Sequence, residues 1–131
     1  MVFDYFTKPE ALVRWMGDSA FLDPRPGGEF TLGFGGNTVE GRYIEVHAPS
    51  RLVISWGRGG SYEFPPHSST LEVILRPEGD GTRVSIVHSG LPDTELSKHA
   101  AGWRHYLARL VMAVTGGGAG HGAAGHGALG R

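Results

Sequence analysis

Over residues 92–114 the chain carries one helical stripe: Leu96, Ala100, Trp103, Leu107, Leu110 and Val114 recur at spacings of three and four. Glu95, Lys98, Arg104 and Arg109 fall largely elsewhere, and Asp93 stands where an acidic side chain can cap the first free amides. A helix this one-sided must lie on a broad apolar surface. The residues before it supply one, because their period is two rather than three to four. Residues 29–34 set Phe30, Leu32 and Phe34 on one side, and 69–76 do the same with Leu71, Val73 and Leu75. Residues 82–89 place Val84, Ile86 and His88 together, while 38–47 and 51–56 read as further strands. An antiparallel sheet packed on one long helix is the expected core.

Turn chemistry separates the strands. Gly35-Gly36-Asn37 and Glu78-Gly79-Asp80-Gly81 suit hairpins, because Gly and Asn tolerate positive φ. Ala48-Pro49-Ser50 is a third turn, and residues 57–66 form a loop punctuated by Gly59-Gly60 and Pro65-Pro66. At the front, Val2, Phe3 and Phe6 share one helical face. A second short helix follows, with Thr7 as its N-cap, Pro9 in the first turn, Leu12, Trp15 and Met16 as its apolar stripe, and Gly17 as its stop. The fold class is α+β.

A length of 131 residues is enough for one domain with a real core. Twelve Lys and Arg balance thirteen Asp and Glu, for a net charge of −1, so nothing recommends nucleic acid or an anionic membrane as a partner. Apolar runs are too short to span a membrane, and the first residues lack the basic flank and apolar core of a signal peptide. With no cysteine, disulfides and thiolate chemistry are excluded. A soluble cytoplasmic domain is expected. Residues 115–131 are Gly, Ala and His with little else, too poor in apolar surface to offset ordering entropy, and read as a disordered tail. Within it, Gly120-His121-Gly122-Ala123-Ala124-Gly125 matches G-x-G-x-x-G only by composition, since no strand precedes it and no helix follows.

Several short motifs, in order, carry a family resemblance. They are Pro9-Glu10 with Leu12 and Arg14-Trp15; Arg25-Pro26-Gly27-Gly28; Glu40-Gly41 with Ile44-Glu45-Val46; and Pro49 with Arg51-Leu52-Val53 and Trp56. Later come Gly81-Thr82, His88-Ser89-Gly90-Leu91-Pro92, and Gly102-Trp103 with Leu107. The sequence resembles the Hsp90-ATPase-activator homology family of the START/Bet v 1-like superfamily. That resemblance implies a helix-grip fold: a curved antiparallel sheet of about six strands wrapped on a long C-terminal helix, with two short N-terminal helices. The domain would span residues 1–114. Family members usually begin with a strand, here not seen before the first helix. Its absence implies an open edge along residues 82–89 and homodimerisation through that edge. A start codon assigned too far downstream, a truncated domain and a partner-donated strand are three ways to reach that state.

The helix-grip fold also implies a cavity between sheet and helix, commonly about 300–1,000 Å³ and apolar. Its expected wall is Trp15, Phe30, Leu32, Tyr43, Ile54, Trp56, Leu71, Val73, Ile86, Trp103 and Leu107, with His88 and His99 as polar candidates. The same apolar residues equally serve as plain core. Three functions follow: a binding module for a small apolar or amphipathic molecule, a cyclase-, aromatase- or hydrolase-like enzyme using His88 or a pocket carboxylate, or a chaperone-interacting module. No cofactor is expected. No metal site is expected either, because His99 and His105 face different ways and no H-x-x-x-H spacing occurs; His121 and His126 offer at most weak tail binding.

Overall fold

A computed structural model describes residues 2–116 and 123–129. In chain order it runs from a 3-10 helix, Val2–Phe6, through a one-turn helix α1, Pro9–Leu12, into six strands. These are β1 (Ser19–Leu22), β2 (Glu29–Phe34), β3 (Asn37–His47), β4 (Arg51–Trp56), β5 (Ser69–Glu78) and β6 (Gly81–Ser89). The helix α2 (Asp93–Gly116) and a last strand, β7 (Ala123–Leu129), complete the described chain. The sheet follows sequence order, β1 to β7. The first six strands are antiparallel neighbours, and β7 lies parallel to β6. This is the α+β helix-grip architecture that the sequence resemblance implies.

The period-two patterns face inward as expected. Leu71, Val73 and Leu75 of β5 and Val84, Ile86 and His88 of β6 are all buried, as are Trp103, Leu107 and Leu110 of α2. Each large apolar side chain withdrawn from water here contributes roughly 1.5–3 kcal/mol, before conformational entropy is subtracted. At the entry, Trp15 packs edge-on to Phe6 at 5.1 Å and donates its indole N–H to the Tyr5 carbonyl at 2.9 Å. The Tyr43 hydroxyl donates to the Phe6 carbonyl at 2.8 Å, tying β3 to the 3-10 helix. Gly41 serves the sheet by being small, because a Cβ there would collide with the Ser55 carbonyl of β4.

Three sequence expectations are corrected. Thr7 is no N-cap: Lys8 holds that position without a side-chain bond, and the Thr7 hydroxyl instead donates to the Phe3 carbonyl at 3.2 Å. β1 was not anticipated. It has only four residues, alternately exposed and half-buried, so it leaves little apolar signal. It forms because β2 offers a free edge, pairing Ser19 with Gly33 through Leu22 with Phe30.

The third concerns the tail and the edge of β6. Residues 123–129, expected without structure, lie along β6 from Thr82↔Ala123 to His88↔Leu129. Main-chain pairing requires no particular side chains, so an edge of unpaired N–H and C=O groups can recruit even a Gly/Ala segment. The β6 edge is thus covered by the chain itself. His121 lies outside the described residues. No helix among the described residues is long and apolar enough to cross a membrane.

Candidate functional site

The inner faces of β4, β5 and β6 bring Trp56, Ser69 and His88 together beneath α2. Trp56 pairs with Ser69, and Leu71 pairs with His88, which puts Ser69 diagonal to His88 on one face. The Ser69 hydroxyl donates to the Trp56 carbonyl at 2.7 Å and lies 2.8 Å from His88 Nε2. From α2, Trp103 donates its indole N–H to His88 Nδ1 at 3.1 Å. An indole nitrogen is a donor and nothing else, so Nδ1 must present its lone pair and the ring proton must sit on Nε2. His88 is fully buried, and both its nitrogens are committed. Burial, with His99 nearby, pushes its pKa down to about 3.

That tautomer decides what His88 can do. In a nucleophile–base pair the imidazole accepts a proton from the hydroxyl. Here the imidazole donates to Ser69, whose own proton is given to Trp56. The pair is a structural link between sheet and helix, without a free lone pair for acid–base work.

Next to it α2 and the sheet leave a cavity of about 240 Å³, lined by Met16, Phe34, Trp56, Lys98, His99, Gly102, Trp103 and Tyr106. Its walls are mainly apolar, and Gly102 supplies its floor space. A Cβ built at Gly102 meets nothing within 4 Å, so the gap there is real room. Phe34 of β2 and Tyr106 of α2 close one side, with ring centroids 5.8 Å apart.

The polar end is built on Glu95, which is only 6% exposed. Arg58 Nη2 and His99 Nε2 lie 3.3 Å from its Oε1, and Lys98 Nζ lies 3.4 Å from its Oε2. Burial raises the Glu95 carboxyl, but Lys98, Arg58 and His99 outweigh it and hold the group below the ordinary range. For His99, burial wins over Glu95 and lowers the pKa. Its ring stands edge-on to Phe64 at 5.2 Å and to His88 at 5.1 Å.

Of the candidate wall, Trp56, His99 and Trp103 line this cavity. Trp15, Phe30, Leu32, Tyr43, Ile54, Leu71, Val73, Ile86, His88 and Leu107 are packed in the surrounding core. Met16, Phe34, Lys98, Gly102 and Tyr106 were missed. One of them did carry a signal. A lone Gly inside a helix costs about 1 kcal/mol relative to Ala, so Gly102 stands out in the sequence as a position that asks for a reason, and the structure puts open space over it.

A second hollow, on the outer face of the sheet, has about 400 Å³ and is lined by Gly27, Glu29, Thr31, Glu40, Gly41, Arg42 and His67. His67 sits at φ 64 and meets the Ser55 hydroxyl through Nδ1 at 2.9 Å. It is larger but polar, and lacks enclosing aromatic rings. No group of His, Asp and Glu among the described residues is arranged to hold a metal ion.

The model of one family, described as Activator of Hsp90 ATPase homolog 1-like protein, matches residues 1–115. Among solved structures, an AHSA1-like protein from Rhizobium etli is 40% identical over 86% of this chain and 72% of that one, with a TM-score of 0.59. CalU16 from Micromonospora echinospora is 30% identical over 90% of this chain and 68% of that one, with a TM-score of 0.68. A protein from Mesorhizobium loti shares the fold at a TM-score of 0.73 with 17% identity, over 90% of this chain and 89% of that one. No curated protein matches the sequence.

Proposed function

The chain belongs to the Activator of Hsp90 ATPase homolog 1-like family, and we propose that within it this domain binds a small apolar or amphipathic molecule between α2 and the sheet, in the cytoplasm. The observation that carries the reading is the cavity over Gly102, walled by Trp56, Trp103, Phe34 and Met16. The helix carries a glycine where the cavity opens, and aromatic walls beside it suit an apolar guest. The enzyme alternative is weakened by the two committed nitrogens of His88 and by the engagement of Glu95, the carboxylate at the polar end, with Arg58, Lys98 and His99. The chaperone-interacting alternative rests on the family's description, and a fold alone does not carry function.

The test is a fluorescence titration with N-phenylnaphthylamine, a neutral dye that brightens in apolar sites. The wild-type chain should bind it, and Gly102→Leu, which fills the open space, should weaken binding at least about tenfold. Equal binding by the two proteins, both folded by circular dichroism, would overturn the assignment of the site.

A further inference from the structure

We propose that the cavity selects a small aromatic monocarboxylate, its ring over Gly102 alongside the paired Trp56 and Trp103, and its carboxylate against Lys98. This rests on the reading of the same cavity as a binding site and specifies the ligand. Three observations support it.

The first is charge. Around Glu95 stand two permanent cations, Arg58 and Lys98, with His99 as a third base. Two permanent cations thus share one carboxylate in this cluster. Lys98 and His99 of this cluster also line the cavity, and none of its lining residues is acidic. An anion placed there completes the charge balance that Glu95 begins.

The second is the kind of hydrogen bond on offer. Lys98 carries three donors and no acceptor, whereas His99 gives its Nε2–H to Glu95 and keeps only the Nδ1 lone pair, so the donor for an anion is Lys98. A charged donor favours an ionised acceptor, where hydrogen bonds are shorter and roughly twice as strong as neutral ones. The third is size. At about 240 Å³ the cavity falls below the roughly 300–1,000 Å³ of drug-sized sites, which favours a body of one or two rings.

Lys98 is the discriminating group, and its side chain is 68% exposed, so its effect should be moderate and sensitive to salt. Naphthoate and naphthamide differ in charge but scarcely in shape, and both can be titrated calorimetrically into the full chain. Naphthoate should bind about three- to tenfold more tightly than naphthamide, and high salt should narrow that gap. Lys98→Gln should erase most of the preference while leaving naphthamide affinity within about twofold. Gly102→Leu should weaken both compounds together. Equal binding of both compounds to the wild-type chain would overturn the anion preference and leave the apolar site standing. A preference that survives Lys98→Gln unchanged would likewise overturn it. Failure of both compounds and of the neutral dye would overturn the binding site itself.

Discussion

Trp103 of α2 donates its indole N–H to Nδ1 of His88 on β6 at 3.1 Å, inside a core that is otherwise nearly all apolar. The bond fixes more than the position of the helix. A second proton on His88 would meet the indole proton head-on, so the ring stays neutral in the folded chain. The helix and sheet are therefore joined most directly through a group that acid can charge.

Stability should fall as pH is lowered from about 6.5. A solvated imidazole has a pKa near 6.5, and burial, with His99 nearby, pushes that of His88 down to about 3 in the folded chain. Between those values the unfolded chain binds more protons than the folded one, so stability rises with pH across the window. The contribution is complete above the unfolded pKa and is lost as pH falls toward the folded one. The limiting slope is about 1.4 kcal/mol per pH unit. Of the groups around His88, His99 is also shifted downward, by burial, and adds in the same direction; Glu95, Lys98 and Arg58 surround His99. Urea melts at about pH 6.5 and about pH 5 would show it, and His88→Leu should flatten the difference. An unchanged slope in that variant would place the acid sensitivity elsewhere.

Ser69→Ala removes the partner of the His88 Nε2–H and strands a buried donor, which should cost about 1–3 kcal/mol. Trp103→Phe keeps a large apolar ring but leaves Nδ1 without its donor. Because both variants act through the same imidazole, their costs should not add. A double-mutant cycle by chemical denaturation measures that coupling, and simple additivity would refute a shared network.

Gly102→Ala should stabilise the chain by about 0.5–1 kcal/mol, since its site is helical and a Cβ there meets open space. The thermal midpoint should rise by a few degrees. A fall would mean that the cavity wall has no room for a methyl group.

Ending the chain after Gly116 removes β7 and bares the edge of β6. Unpaired strand edges recruit other strands, so the shortened chain should associate more strongly than the full chain. Light scattering behind size exclusion at matched concentrations would decide it. Two equally monomeric proteins would show that β7 is not what keeps the edge from pairing between chains.

Much of the fold was legible because periodicity reports burial directly. The alternations in β2, β5 and β6 and the stripe on α2 could only be satisfied by facing one another. Short elements escaped. β1 has four half-wet residues and forms only because β2 leaves an edge, and β7 has a composition that names no structure at all. Thr7 carried the residue type of a cap, but its hydroxyl found a nearer carbonyl at Phe3.

The sequence by itself determined the helix, the meander, their packing and the family, since these follow from apolar spacing and short ordered motifs. It also placed His88 on the inner face. Only the tertiary structure decided that Trp103 would reach Nδ1 from another element, turning a candidate acid–base group into a link, and that Lys98, His99 and Glu95 would gather at the end of a gap made by Gly102. The physical reason is that spacing along a strand or helix fixes which face a side chain occupies. What it meets there depends on how two faces dock, and no local pattern encodes that distance.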